Sequence, residues 1–509
     1  MLSDERNPRH SPLLIGTGVF ALLWVVARAS VQSLTIDEAD TYLSWVRPAW
    51  PSHWSAYANN HVLNSMLMRL FTSIFGASAL TLRLPALIGA LLYIGAAYVL
   101  ARLISQRRLL QWALFVCLTF SPFVMDYLVA ARGYSLASAF LLWMVAIAAR
   151  HQALGPQERA ERWPRACALI SLCGGLSVSA NFSFALADGL TALGLFLWIC
   201  REHRRQYGKI LAACTLPGLA AAYFLVWPVV TAWPGSQLAW GADSLLETVR
   251  SLVSASLFEP NPYLLHPQLR HYFVHFGTFL YPLLAAFVIW RAVTLILGRR
   301  LIADDAPRRL AALAAICGAA LAAALACHQF LHLVYGILLP LDRTAMWVAL
   351  LFLTMAGALA AAPLPTRMGR ISAQALTAIL ALIACYNVAC LRLTYFNEWK
   401  YDADTKNVYG VLAYYNHTYG VSKVSANWRY VAALNCYRVM SGHETIEPIP
   451  VAPTVADAYP LGYQAYVFYY GVDEDFYKRE GLQLVYRDAF TGAAVAVRPE
   501  VLAHAGPRQ

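Results

Sequence analysis

Long apolar runs alternate with short polar segments from the N-terminus to about residue 393. Eleven of these runs approach the roughly 20 residues that a helix needs to cross the hydrocarbon core of a bilayer. They cover residues 12–29, 81–104, 109–126, 133–149, 165–181, 184–201, 209–231, 272–296, 309–328, 344–362 and 372–392. The pattern predicts an α-helical polytopic membrane protein with about eleven transmembrane helices.

Basic residues within this region gather in alternate loops. Arg and Lys are concentrated near residues 102–108, 150–165, 201–209, 299–309 and 367–370, whereas the loops between them contain fewer of both. Cytoplasmic loops of membrane proteins carry an excess of Lys and Arg. We therefore expect a multi-pass protein of the inner (plasma) membrane with a cytoplasmic N-terminus. An odd number of spans would place the C-terminal segment in the periplasm or outside the cell.

Two segments depart from the membrane pattern. Residues 30–80 follow the first span and include an amphipathic stretch, 61–75, which predicts a helix lying in the membrane interface. After residue 393 the sequence becomes polar and tyrosine-rich, with one helical stretch at 402–417 and strand-like stretches at 423–428, 465–470, 482–487 and 493–497. We therefore predict a membrane domain, 1–393, containing the outer loop 30–80, and a small soluble α/β domain, 394–509.

Composition supports a membrane protein and argues against a nucleic-acid-binding protein and against a cysteine-rich metal or disulfide protein. The chain is 59% hydrophobic and only 13% charged, whereas about a quarter of the residues in a soluble domain are charged. The net charge of +11 resides mainly in loops between spans, so we expect no nucleic-acid partner. The ten cysteines show no CxxC pair and no Cys/His cluster, so the sequence predicts neither a cysteine metal site nor a disulfide framework.

Three carboxylates follow the first span within four residues: Asp37, Glu38 and Asp40. Acids at a membrane boundary are costly and often functional; the simpler alternative is that they only mark the boundary with water. An ordinary carboxylate is ionised at neutral pH and can accept a proton from a hydroxyl group. The stretch therefore predicts a general base at the outer surface.

Further polar residues occupy predicted outer ends of helices: Asn60, His61, Arg132, Tyr134 and Arg343. An outer arginine departs from the positive-inside trend and needs an anionic partner. A lipid phosphate suits this role because a guanidinium binds it with two hydrogen bonds. The alternative is that Arg132 and Arg343 pair with Asp126 and Asp342.

These motifs resemble those of the GT-C membrane glycosyltransferases. The motifs Asp37-Glu38-Ala39 and Ala131-Arg132-Gly133-Tyr134, the juxtamembrane helix and the outer tail are similar to the family 39-like branch. That branch includes relatives of dolichyl-phosphate-mannose-protein mannosyltransferases and the lipid A aminoarabinose transferase. The sequence departs from the usual pattern at Asp40, where tyrosine is common, at Asn60-His61-Val62, where His-Pro-Pro is frequent, and at Gly133, where proline is common.

The resemblance implies an inverting glycosyltransferase with a polyprenyl-phosphate sugar donor. Asp37 would be the catalytic base and Glu38 its neighbour or a sugar ligand. The residues implied in binding the donor phosphate or the substrate are Asn60, His61, Arg132, Tyr134, Arg343 and Asp40. The acceptor would be a lipid, a glycan or a protein, and membrane lipids would surround the chain. We expect that the reaction requires no metal, although the paired carboxylates could bind a divalent cation.

Other functions fit parts of the sequence. A lipid-linked glycan transporter or flippase would use charged or broken helices at the bilayer midplane, whereas the charges here lie at helix ends. A non-catalytic assembly protein would bind through its tail and would not need Asp37. A ligase with a diphosphate-linked donor would share the outer arginines but not the acidic stretch.

Overall fold

The computed structural model describes residues 11–49, 52–55, 57–203, 205–230, 240–259, 261, 266–301, 304–442, 445–450 and 459–503. Its first fifteen α-helices are α1 (Pro12–Val31), α2 (Ile36–Thr41), α3 (Val62–Phe75), α4 (Ala79–Ile104), α5 (Arg108–Thr119), α6 (Pro122–Val129), α7 (Tyr134–Ala153), α8 (Pro156–Ala180), α9 (Ala185–Cys200), α10 (Tyr207–Val230), α11 (Leu245–Ser256), α12 (Pro267–Leu297), α13 (Asp305–Tyr335), α14 (Met346–Ala361) and α15 (Arg367–Ala389). They form the membrane part of the protein.

Nine helices in the described part of the chain are long and apolar enough to span a bilayer. They are α1, α4, α7, α9, α10, α12, α13, α14 and α15, where α9 and α14 include the turn before them. The pair α5–α6, bent by 54°, would be a tenth. Helix α8 contains the predicted span 165–181 but is not among them, because its first ten residues carry five charges. The sequence predicted about eleven spans, whereas nine or ten described segments meet the length and composition of a membrane span.

Small residues let the membrane helices approach closely. A Cβ atom added to Gly89 of α4 would lie 2.7 Å from the backbone nitrogen of Leu136 in α7. Because lipid gives little hydrophobic drive for helices to associate, such close backbone contacts are a main source of their packing energy. The contact holds α7, and with it the segment that precedes its first turn, against α4.

Helix α3 confirms the predicted amphipathic helix and shows which side faces the protein. Asn64 and Ser65 are buried, whereas Leu70, Ile74 and Phe75 are exposed. The Asn64 amide donates to the Ala131 carbonyl at 3.1 Å. An exposed apolar side is what a helix in the membrane interface needs.

The C-terminal part contains four helices and a four-stranded sheet: α16 (Thr405–Tyr419), β1 (Val424–Ala426), α17 (Trp428–Ser441), β2 (Ala465–Tyr469), α18 (Tyr470–Arg479), β3 (Gln483–Arg487), β4 (Ala493–Val497) and α19 (Pro499–Ala503). The strand order is β1-β2-β4-β3, with β1 parallel to β2 and the other pairs antiparallel. All four predicted strands are confirmed within a few residues. The prediction of a helical membrane protein with a small C-terminal α/β part is confirmed.

One hydrophobic cluster joins this part to the acidic segment. Leu34 and Ala39, which flank Asp37 and Glu38, pack in the same buried cluster as Leu434 of α17 and Val495 of β4. The Tyr437 hydroxyl accepts a hydrogen bond from the Leu34 amide at 2.8 Å. Helix α2 is therefore held from the C-terminal side as well as from the membrane helices.

Candidate active site

A cavity of about 510 Å³ opens at the end of the helix bundle that carries α2 and α3. Its lining, which defines the site cavity below, includes Asn59, His61, Tyr134, Asn181, Trp240, His328, Leu339 and Arg343. Three of the residues predicted from the sequence, His61, Tyr134 and Arg343, therefore line one space. The space is bounded by polar groups on one side and by aromatic and aliphatic groups on the other.

Arg343 is the cation of the site cavity and lies between two acids. Its Nη2 atom is 3.3 Å from Oδ2 of Asp37, and its Nη1 atom forms an ion pair with Glu398. The guanidinium carbon also lies 5.7 Å from the ring centre of Trp399. The preceding residue, Asp342, has a φ of 44°, a left-handed conformation that costs energy outside glycine. That turn directs Arg343 toward Asp37 and the cavity.

Asp37 lies behind Arg343 rather than in the lining of the cavity. Its side chain is 17% exposed, and the ion pair with Arg343 is not aligned as a hydrogen bond. Among the described residues no donor hydrogen-bonds to its Oδ2 atom. Asp37 is therefore held by its ion pair with Arg343, and its Oδ2 atom is buried without a hydrogen bond from the described residues.

Glu38 is fully buried and saturated with donors. Nε and Nη2 of Arg83 donate to its two oxygens at 2.8 and 2.7 Å. The backbone amides of Thr35 and Ala131 donate to the same oxygens at 2.9 and 2.7 Å. Further bonds from Arg83 reach backbone carbonyls in the last turn of α1 and in the segment between α1 and α2. Glu38 thus links three segments and positions its neighbour Asp37, and no oxygen of it is left over for a ligand.

Arg132 is a buried cation that lies beside His61. It donates to the Thr41 hydroxyl at 2.9 Å and to the Asn59 side chain, and its Nη2 atom lies 3.3 Å from Nε2 of His61. No carboxylate within the described residues forms an ion pair with it. A buried positive charge of this kind favours an anion in the adjacent cavity.

His61 lies beside Arg132, and a backbone hydrogen bond fixes its tautomer. Its Nδ1 atom accepts the backbone N–H of Gly133 at 2.8 Å, so the neutral ring carries its proton on Nε2. Burial, together with the charges of Arg132 and Arg343, lowers the pKa of His61 well below its ordinary 6.5. The Nε2–H group and the Arg132 guanidinium are therefore both donors, and an acceptor between them would satisfy both.

Gly133 makes this arrangement possible because it has no side chain. A Cβ atom there would lie 1.8 Å from the Ala180 carbonyl oxygen and 2.9 Å from Nδ1 of His61. Proline, common at this position in the family that the sequence resembles, would also lack the N–H that His61 accepts. The departure from the family pattern is thus coupled to the orientation of His61.

We expect Gly133→Ala to destabilise the protein by about 1–3 kcal/mol, the usual cost of overpacking. The added methyl group must push α7 away from the end of α8. Thermal unfolding of the purified variant measures the loss. Gly155→Ala is the matched control, since nothing lies within 4 Å of a Cβ at that position. Equal melting temperatures for Gly133→Ala and Gly155→Ala would contradict the close contact.

Asn60 and Asp40, both predicted to bind substrate, do not line the site cavity. The Asn60 amide donates to the carbonyls of His53 and Ser55, and its oxygen accepts from Ser65. It therefore shapes the loop before α3. Asp40 accepts from the Ser44 hydroxyl at 2.9 Å and remains half-buried on α2.

Two acids near the site have partners that the sequence did not predict. Asp126 pairs with Arg28 at 2.5 Å instead of with Arg132. Glu398 pairs with Arg343 and accepts from the Tyr127 hydroxyl. An acid six residues after the last apolar run, beside an aromatic residue, was the available signal for Glu398. It parallels the position of Asp37 after the first run.

Asp402 is a further buried acid close to α2. It accepts the Ile36 amide at 2.7 Å. Burial, and then the charges of Asp37 and Glu38, raise the pKa of Asp402 well above its ordinary 3.8. When Asp402 is protonated it is neutral, and it then adds no negative charge beside Asp37.

Fold and site together define a multi-pass membrane protein with a cation-lined cavity beside a carboxylate. No family model and no curated protein matches the chain. Among solved structures it is similar to ArnT from Cupriavidus metallidurans, in the apo state (13% identity, TM-score 0.39, 97% of this chain and 98% of that chain covered) and bound to undecaprenyl phosphate (12%, 0.40, 97% and 99%). It is also similar to the arabinosyltransferase EmbB from Mycobacterium smegmatis, with 16% identity, a TM-score of 0.36, and 80% of this chain and 44% of that chain covered.

Proposed function

We propose that this protein is an inverting glycosyltransferase that moves a sugar from a polyprenyl-phosphate donor to a lipid, glycan or protein acceptor. The observation that carries the proposal is the contact between Arg343, which lines the site cavity, and Asp37, 3.3 Å away. The group that would hold the donor phosphate thus touches the group that would take the proton. The sequence resemblance to GT-C glycosyltransferases supports the same reaction.

The donor phosphate would occupy the polar side of the site cavity. Arg343 and the Nε2–H group of His61 supply donors there, with the Tyr134 ring packed 5.0 Å from that of His61. Arg132 adds positive charge from behind His61. Negative charge grows on the phosphate as its bond to the sugar breaks, so fixed donors lower the barrier more than they strengthen ground-state binding.

Asp37 would act as the base in this reaction. It would accept the proton of the acceptor hydroxyl as that oxygen attacks the anomeric carbon from the side opposite the phosphate. The new glycosidic bond forms as the old bond to phosphate breaks, which inverts that carbon. Glu398 would keep Arg343 in position while the partner of Asp37 changes. Glu38, through Arg83, would act only as a positioning residue.

The proposed orientation places the site cavity on the periplasmic or extracellular side of the inner membrane, with the N-terminus in the cytoplasm. The basic loops support this orientation. The tail, 394–509, would then be an outer domain that helps to select the acceptor. Its hydrophobic contact with α2 supports a link between acceptor selection and the base.

A transfer assay tests the proposal. The full chain, reconstituted in vesicles, would be given polyprenyl phosphates that carry labelled hexoses or pentoses, together with membrane lipid, glycan and protein acceptors. The proposal predicts label in an acceptor with the anomeric configuration opposite to that of the donor. Movement of the lipid across the vesicle without transfer from any such donor would overturn it in favour of a transporter.

A further inference from the structure

Three thiols from three helices meet away from the site cavity. Sγ atoms of Cys167 in α8, Cys200 at the end of α9 and Cys214 in α10 all lie within 4.8 Å of one another. The Cys167 and Cys200 sulfurs are 3.6 Å apart. Cys167 and Cys200 are buried and Cys214 is half-buried. The proposed transfer reaction uses none of them.

The helices that carry two of these thiols are locked together one turn further on. A Cβ atom on Gly218 of α10 would lie 2.3 Å from the Ser171 carbonyl oxygen of α8, and the Gly218 amide donates to the Ser171 hydroxyl at 3.0 Å. Cys214 and Cys167 each precede these contacting residues by four positions, one helical turn. The close backbone contact therefore fixes the spacing of the two thiols.

The spacing of the sulfurs matches a thiolate metal site. A zinc–sulfur bond of about 2.3 Å gives sulfur–sulfur separations of about 3.8 Å in a tetrahedral site and about 4.0 Å in a trigonal one. We propose that Cys167, Cys200 and Cys214 bind one soft d¹⁰ cation, of the class of Zn²⁺ or Cu⁺. Thiolates are the ligands that select such cations, and each coordinating thiol releases its proton to solvent on binding.

An imidazole lies next to the cluster. His203 follows Cys200 by three residues, and its backbone N–H donates to the Cys200 carbonyl at 2.8 Å. Its ring stacks on Trp163 with the centres 5.1 Å apart. The group of ligand atoms that lie within 4.8 Å of one another contains the three sulfurs and not this imidazole. A trigonal ion needs the three sulfurs alone, whereas a tetrahedral ion would require His203 to turn away from Trp163 or a fourth ligand from solvent.

The site would staple three membrane helices together. Helices α8, α9 and α10 are joined in sequence by short connections, and α8 is the helix whose charged start sets it apart from the nine apolar spans. A metal–thiolate bond links helices more strongly than the small-residue contacts around it. This role is structural and does not depend on the proposed transfer reaction.

Titration of the reduced, purified full chain with Cd²⁺ tests the site through the ultraviolet absorption of cadmium–thiolate bonds. We expect about one equivalent to bind and to raise the melting temperature. Cys167→Ser and Cys214→Ser should each lower the affinity at least tenfold and remove the shift in melting temperature. Cys173→Ser, on the same helix as Cys167, is the matched control and should behave as wild type.

Two results would overturn the site. One is the absence of cadmium–thiolate absorption in the reduced wild type. The other is binding by Cys214→Ser that equals that of Cys173→Ser, provided both variants melt as the metal-free wild type does. Cys214 is half-buried, so its replacement by serine is the milder change and keeps the test valid if Cys167→Ser fails to fold.

Discussion

Replacing Asp37 with asparagine is expected to slow glycosyl transfer by about 100- to 10,000-fold, the range that a general base contributes. The amide keeps the size of the side chain but cannot take a proton at neutral pH. Asp37 is only partly exposed and pairs with Arg343, which retains Glu398 as a partner. The variant should therefore fold and insert as wild type. Initial transfer rates at saturating donor and acceptor, at equal amounts of folded protein, measure the effect.

Asp304→Asn is the control for this substitution. Asp304 is an exposed acid before α13 and makes no side-chain capping bond, so its replacement should leave the rate within twofold of wild type. Transfer by Asp37→Asn at the wild-type rate would remove Asp37 as the base. Whether the protein is a glycosyltransferase would then depend on the transfer assay of the wild type alone.

Glu38→Ala is expected to lower the free energy of unfolding by about 3–5 kcal/mol, because it leaves Arg83 as an unpaired buried charge. Both side chains are fully buried. The amides of Thr35 and Ala131 lose their acceptor in the same step. Unfolding curves of the reconstituted variant, followed by circular dichroism, measure the change.

Glu158→Ala provides the matched comparison. Glu158 pairs with Arg162 at 3.3 Å, but the two side chains are 50% and 60% exposed, and an exposed pair of this kind contributes less than about 1 kcal/mol. If both variants unfold alike, Glu38 does not have the structural role inferred from its contacts. Loss of transfer in Glu38→Ala without loss of stability would point to a direct role in catalysis.

The helices and strands could be predicted because their signals are local. Hydrophobic runs located the membrane helices, and alternating or short apolar patterns located all four strands of the C-terminal sheet. The count of spans was less secure because it depends on two elements. The charged first turns of α8 reduce its apolar length, and the pair α5–α6 bends at the break between Thr119 and Pro122. Helix α17 was missed because it shows little periodicity of its own and is stabilised by packing against α2 and α16. The short helix α18 was missed as well.

Three residues that line the site cavity, His61, Tyr134 and Arg343, could be named from the sequence, but the partners of the site residues could not. Asp37 and Glu38 are adjacent and look equivalent, and their different positions depend on Arg83, 45 residues beyond Glu38, and on Arg343. The thiol cluster was invisible for the same reason. Its members are 33 and 14 residues apart on three helices, so no short spacing reveals them.

Binding of undecaprenyl phosphate by the wild type, Asp37→Asn and Arg343→Met separates the proposed phosphate-binding group from the proposed base. We expect Asp37→Asn to bind at least as tightly as wild type. We expect Arg343→Met, at equal melting temperature, to bind about 10- to 150-fold more weakly, the value of a hydrogen bond to a charged group. Wild-type affinity in Arg343→Met, or equal losses in the two variants, would show that Arg343 does not hold the phosphate.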